Sequence, residues 1–312
     1  LVSSPVVVLC PGQGAQKVGM GKDLAERFPA ARDTFAAIDE ALGMHLTRIM
    51  WDGPEEALLP TDVTQPAILT HTCAVLACIR PRLGPVAVTL GHSLGEYSAY
   101  VVAGALDAAA AATLVRRRGQ LMHEAGSRRP GAMAAVLGLD VAAVQAACAA
   151  ASTAEEVAVA ANLNAPDQTV ISGDPAAVAR AGEGCKAAGA KRVLPLKVSG
   201  AFHSPLMAPA QAGLADAIAA TPLRDPVAPV IANATATAVR TAADAARLLV
   251  EQLTAPVRFI ESVHAAVPLA GDAAWLELGP GAVLAGLVKR IHPASPVTSL
   301  GTADDVEKWL AA

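Results

Sequence analysis

Aromatic side chains make up only 3% of this 312-residue chain, and only 17% of its residues are charged, against 53% hydrophobic. That balance excludes a disordered polymer and requires a heavily buried core, much of it supplied by alanine. The formal net charge is −4. No stripe of lysine and arginine interleaved with aromatics is present, so nucleic acid and anionic membranes are excluded as general partners. The five cysteines (Cys10, Cys73, Cys78, Cys148, Cys185) form no C-x-x-C pair, and an odd number cannot close completely into disulfides; reduced, mostly buried thiols are expected. No window holds 18 uninterrupted apolar residues, and the opening LVSSPVVVLC has neither a charged leader nor a small-residue cleavage pattern. A soluble cytoplasmic protein is the expectation.

Short apolar runs are plentiful. Val6 to Cys10 is β-branched and stopped by Pro11-Gly12. Val86 to Leu90, Val193 to Val198, Val227 to Ile231, Trp275 to Leu278 and Val297 to Leu300 have the same character, separated mostly by helical stretches. This pattern predicts an α/β layer with a largely parallel sheet. From about Gly131 to Lys197 the elements crowd into the order β-α-β-β-α-β, the ferredoxin-like pattern of an inserted small subdomain. The expected division is a large domain over 1–128 and 199–312, with the small subdomain over 129–198. At this length, one large domain carrying a smaller one is reasonable.

The strand VAVTL runs into Gly91-His92-Ser93-Leu94-Gly95 and then a helical pattern, EYSAYVVAGAL. A serine on a sharp strand-to-helix turn needs small neighbours, because the turn strains the backbone while it projects the hydroxyl. The Leu94 N–H then lies at a helix N-terminus, where unpaired donors can hold an oxyanion. The loop Pro11-Gly12-Gln13-Gly14-Ala15-Gln16 follows neither G-x-G-x-x-G nor the P-loop spacing, so no nucleotide fingerprint is present. It is either an ordinary tight turn or a close backbone approach whose Gln13 N–H is a second oxyanion donor.

A serine hydroxyl needs a base within hydrogen-bond reach. Of the seven histidines, His45, His71, His123, His264 and His292 lie in helical or terminal contexts that suit surface or packed side chains. His92 sits inside the turn and is expected to pack against it. His203 lies in the loop Ser199-Gly200-Ala201-Phe202-His203-Ser204-Pro205, after a strand and ahead of a helix that Pro205 can start. By position alone it is either the base or an ordinary loop histidine. Three consecutive arginines, Arg116, Arg117 and Arg118, point about 100° apart on a helix, so at most one or two can face one site.

Taken together, PGQGAQKVGMG, TQPAILT, GHSLGEYSA, RRRGQLM, GAMAAVLGL, NLNAPDQTVISG, GAFHSPLM, EQLTAPVRF and ELGPGAVLAGLVKRI resemble, in that order and over nearly the whole chain, the malonyl-CoA:acyl carrier protein transacylases and the related acyltransferases of polyketide synthases. The resemblance implies an α/β-hydrolase-like large domain with a ferredoxin-like small one. It implies Ser93 as the acylated nucleophile, His203 as its general base and acid, and Leu94 and Gln13 as oxyanion donors. The Gln252 carbonyl would orient the histidine, and Arg118 would grip the malonyl carboxylate. Asn162 would lie near the pocket, and Phe202, ahead of the histidine, resembles malonyl-selecting members. Cys10 stands where the family more usually has phenylalanine. No metal or redox cofactor is implied, coenzyme A being a substrate, and the partner is an acyl carrier protein met by a monomer. Arg116, Arg117, Arg128, Arg129, Lys186, Lys191 and Arg192 are candidates for a basic docking patch, or are simply solvated charges.

The rival enzyme class is a serine hydrolase, an esterase or thioesterase using the same elbow. Its usual order places an acid between the serine and a late histidine, and the late histidines His264 and His292 have no attractive loop context. A catalytically silent docking subunit is the rival from another class.

Overall fold

The computed structural model describes residues 4–198 and 200–312. Residues 1–3 and Ser199, the expected first residue of the second large-domain segment, lie outside the described residues. Among the described residues the strands are β1 (Val6–Cys10), β2 (Val86–Gly91), β3 (Ala132–Leu137), β4 (Ala158–Ala165), β5 (Gln168–Gly173), β6 (Arg192–Pro195), β7 (Val230–Ile231), β8 (Ala238–Val239), β9 (Ala274–Leu278) and β10 (Val297–Leu300). They form a six-stranded sheet of order β10-β9-β1-β2-β7-β8 and a four-stranded sheet of order β4-β5-β3-β6. In the first, every pairing is parallel except β7 with β8.

β1 is central and buried at every residue. Its side chains alternate faces: Val6, Val8 and Cys10 enter one core, while Val7 and Leu9 enter another. A strand with helices on both faces has no polar side to show, which is why VVVLC reads as an unbroken apolar run. The helix Thr61–Ile79 is likewise buried nearly all round. Among the described residues no helix is long and apolar enough to cross a membrane.

The four-stranded sheet is antiparallel throughout and carries the helices Val141–Ala151 and Pro175–Ala187 around a separate core that includes Val136, Val144, Ile171 and Ala181. Its strand order is that of the ferredoxin-like fold. It is stitched to the larger unit at one edge: Leu163 N–H donates to the Val257 carbonyl at 2.9 Å, and Val257 N–H to that of Ala161 at 2.8 Å.

Val193 to Val198 supplies the last strand of the small sheet, as the β-α-β-β-α-β order expects, and that strand ends at Pro195. One apolar run behaves differently from the expectation. Of Val227 to Ile231 only Val230 and Ile231 pair; Val227 is 87% exposed. Pro226 and Pro229 have no N–H to give a ladder, so the strand cannot start earlier.

β2 turns into the helix Gly95–Val102 through Ser93, held at φ 54° in the left-handed region. Gly91 and Gly95 make the turn possible. A Cβ on Gly91 would strike the Gly95 backbone, and one on Gly95 would strike the Cys10 carbonyl and come within 2.8 Å of the Pro11 oxygen. Neither neighbour is the free end of a flexible side chain. Gly95→Ala is therefore expected to lose about 3 kcal/mol of stability by overpacking. Gly286→Ala, in the helix Val283–Ile291 with nothing within 4 Å of its Cβ, should gain about 0.5 to 1 kcal/mol. Urea unfolding of both variants checks this, and equal midpoints would refute it.

Candidate active site

The elbow, the first loop and the loop after β6 converge on a cavity of about 160 Å³ between the two sheets. Gln13, Ser93, Leu94, Arg118, Phe202 and His203 line it from the large unit, and Asn162 and Asn164 from the small one. His92 also reaches it. None of the other five histidines lines this cavity.

Ser93 Oγ lies 2.7 Å from His203 Nε2, and His203 Nδ1 lies 2.9 Å from the Gln252 carbonyl oxygen. A carbonyl can only accept, so Nδ1 carries the proton and Nε2 is left as an acceptor for the serine O–H. His203 itself has φ 56°. Two residues without glycine's freedom, both in the left-handed region and facing each other, mark stored backbone strain. Burial, followed by the neighbouring Arg118 charge, pulls the His203 imidazole down to about 3, so the resting ring is neutral.

Arg118 is 1% exposed, unlike its neighbours on the helix Ala108–Arg128: Arg116 donates to the Leu42 carbonyl at 2.8 Å, and Arg117 is exposed and pairs with Glu124. Its guanidinium donates to Ser93 Oγ at 3.1 Å, Gln252 Oε1 at 2.8 Å and Gln65 Oε1 at 2.7 Å, and its carbon lies 5.5 Å from the Tyr97 ring centroid. Among the described residues it has no carboxylate within salt-bridge distance and its Nε–H has no partner. A buried cation with neutral ligands and a spare donor, opening on a small cavity, is suited to an anionic group.

A relay runs from this arginine to the first loop. Gln65 turns its oxygen to Arg118, so its amide donates to Thr61 Oγ at 3.0 Å, and Thr61 donates onward to Gln13 Oε1 at 3.0 Å. The Gln13 side chain is thereby held at the cavity that the residue lines. His92 donates from Nε2 to Asn164 Oδ1 at 2.7 Å, which packs the elbow histidine away from Ser93 Oγ.

Beneath Ser93 lies Glu96, fully buried. Its Oε2 accepts from Asn233 N–H at 2.9 Å and Gln252 Nε2 at 2.6 Å, while Oε1 has no partner among the described residues. Burial pushes this carboxyl up to about 7, against the opposing pull of those donors and of Arg118. Thr61, Gln65, Glu96, Asn164 and Asn233 were not identified from sequence. Gln65 and Glu96 stand within the TQPAILT and GHSLGEYSA matches; Asn233, in IANAT, carries no such signal. Among the described residues no group of three or more His, Cys, Asp or Glu side chains is placed to hold a metal ion.

The model of the acyl transferase domain matches residues 7–307. The chain belongs to this family. It is an acyltransferase, 42% identical over 304 residues to the malonyl CoA-acyl carrier protein transacylase of Bacillus subtilis, covering 97% of this chain and 96% of that protein. An acyl carrier protein S-malonyltransferase from Vibrio cholerae superposes with a TM-score of 0.92 at 41% identity, over 98% of this chain and all of the other. A malonyl-transacylase solved in complex with a type II polyketide synthase acyl-carrier protein superposes with a TM-score of 0.93 at 39% identity, over 99% of each chain. In this acyltransferase several of the candidate docking charges are ion-paired. Arg117 pairs with Glu124, Arg129 with Asp174 and Lys186 with Glu183, whereas Arg128, Lys191 and Arg192 form no ion pair among the described residues.

Glu96 sets a pH dependence. Its folded value of about 7 exceeds the ordinary 4.5, so between these values the unfolded chain ionises first. Its contribution to stability is complete below about pH 4.5 and is lost as pH rises through about 7. Glu96→Gln removes that slope. Relative to wild type, the variant should gain about 3 kcal/mol between pH 4.5 and pH 8, read by urea unfolding at both values. Parallel wild-type and variant stabilities would show that Glu96 does not titrate in this range.

Proposed function

We propose that this acyltransferase moves a malonyl group from coenzyme A to the phosphopantetheine thiol of an acyl carrier protein, by a ping-pong reaction through a Ser93 ester. The observation that carries the reading is Ser93 Oγ held between a neutral imidazole and a buried arginine that has no carboxylate partner among the described residues. The cavity of about 160 Å³ lies below the roughly 300 to 1,000 Å³ of ordinary small-molecule pockets, which suits an acyl group of a few heavy atoms and not a long chain.

In the first half-reaction the Ser93 proton passes to His203 Nε2 as Oγ bonds to the thioester carbonyl carbon. The backbone N–H groups of Leu94 and Gln13 hold the oxyanion. The C–S bond breaks, and His203 returns its proton to the departing thiolate. In the second half the carrier thiol gives its proton to His203 and its sulfur attacks the ester carbon, and Ser93 leaves with the proton. The Gln252 carbonyl keeps the imidazole in the tautomer both halves need. Asn162 and Phe202 bound the acyl site, and Arg128, Lys191 and Arg192 are the remaining cations for an acidic carrier. The reading requires no metal or redox cofactor, and it treats the chain as a cytoplasmic monomer.

Arg118 does more than bind. Its charge is the second cause, after burial, of the low basicity of His203. A malonyl carboxylate against the guanidinium offsets that charge, so a correctly charged substrate strengthens the base that must act on it. Acetyl cannot do this.

Intact-mass measurement after mixing with malonyl-CoA should show one malonyl ester in wild type and none in Ser93→Ala; full loading of that variant would sink the assignment. Carrier and water are then compared as acceptors, since release to water alone would make the chain a hydrolase. Arg118→Ala should lose about 2 to 5 kcal/mol in kcat/KM for malonyl loading. Acetyl loading should fall far less, so that the preference collapses about 100-fold or more. Equal losses for both donors would make Arg118 structural.

A further inference from the structure

We infer that Asn233 is a positioning residue for the nucleophile, its carboxamide standing in for the peptide unit that β7 lacks beside the elbow. The inference rests on the reading of Ser93 as nucleophile. β7 pairs with β2 only at Thr89 with Val230 and Leu90 with Ile231, after which its chain turns away toward β8. In a parallel ladder a residue bonds to the carbonyl before and the N–H after the residue it faces. Asn233 makes that pair with its side chain: Nδ2 donates to the Gly91 carbonyl at 2.7 Å, and Oδ1 accepts from the Ser93 N–H at 2.7 Å. The two bonds flank His92. They carry the ladder past the end of the strand into the residue at φ 54°.

The carboxamide is itself immobilised. Asn233 is fully buried, its N–H donates to Glu96 Oε2 at 2.9 Å, and its carbonyl accepts from Arg258 N–H at 3.1 Å. The other side of the nucleophile is held to the same carboxyl, since Gln252 Nε2 donates both to the Ser93 carbonyl at 3.0 Å and to Glu96 Oε2 at 2.6 Å. Ser93 thus has its N–H and its carbonyl tied to two side chains that share one anchor. Asparagine supplies a donor and an acceptor on two separate atoms of one planar group, as a peptide unit does, whereas a serine or threonine hydroxyl has both functions on a single atom. Aspartate has no donor when ionised, and alanine has neither group.

The Oγ to Nε2 distance depends on this backbone, whereas donor binding depends on Arg118 and the cavity wall. Asn233→Ala should therefore lower kcat for Ser93 acylation about 10- to 100-fold while leaving KM for malonyl-CoA nearly unchanged. Asn233→Asp gives a readout that a purely structural role would not move. When protonated, its carboxyl can donate to Gly91 and accept from Ser93 as asparagine does; when ionised it repels the Gly91 carbonyl. The ratio of its acylation rate to that of wild type should rise several-fold as pH falls from about 8 to 6, into the range where buried carboxyls take up protons. Glu96, Arg118, Arg258, His92 and His203 are the charged and titratable groups around it, and the ratio is taken again in a Glu96→Gln background, which removes the neighbour that titrates in the same range.

Acylation is measured with malonyl-CoA and with a sulfonyl fluoride, both read by intact mass, and the folded fraction by circular dichroism. A kcat loss with both reagents in a folded Asn233→Ala protein supports the inference. A wild-type rate, a change confined to KM, or a loss matched by the unfolded fraction overturns it. Where Asn233→Ala does not fold, a pH-independent Asn233→Asp ratio overturns it. Slowed sulfonyl fluoride labelling in a variant whose wild type ignores malonyl-CoA would leave the inference standing and remove the malonyl reading.

Discussion

A serine at φ 54° stays there only when the surrounding backbone leaves it nowhere else to go. Here the confinement comes from three directions. The ends of β1 and β2 and the start of the following helix approach so closely that Gly91 and Gly95 have no room for a Cβ. The first loop is pressed against the same point, with Gly12 in contact with the His92 backbone. From below, Asn233 and Gln252 hold the serine's own peptide groups. The parallel sheet exists, in functional terms, to bring these chain ends to one spot. The hydroxyl direction, the helix N-terminus beside it and the position of the first loop all follow from that contact.

The second organising constraint is electrostatic. A guanidinium buried without a carboxylate partner among the described residues is costly, and the protein surrounds it with neutral oxygens from Ser93, Gln65 and Gln252 rather than an ion pair. Glu96 is near enough to feel its charge, yet burial pushes that carboxyl up to about 7. His203 is driven the other way by the same surroundings. The result is a site with one unbalanced charge, available to a substrate that carries the opposite one.

Much of this was legible in the sequence. The strand ahead of GHSLG, the crowded β-α-β-β-α-β order and the 100° spacing of three arginines are local signals, and local signals survive without a structure. Arg118, buried while Arg117 is exposed, shows that periodicity could limit the choice but only the resemblance could make it. What stayed hidden is long-range. Asn233 reaches Ser93 across 140 positions, and Gln252 reaches it across 159. A buried asparagine after a two-residue strand has no periodicity to announce it. Val193 to Val198 and Val227 to Ile231 are both shorter as strands than as apolar runs, because apolar content does not reveal where proline cuts a ladder.

The seam between the two units is tied where Val257 exchanges bonds with Leu163 and Ala161. Val257 follows Gln252 by five residues, on the segment whose carbonyl holds His203. Jaws that hinged apart here would break those two bonds and shift the segment that holds His203. The cleft is therefore a keyhole rather than a mouth: its small volume takes the short end of a molecule and leaves the bulk outside.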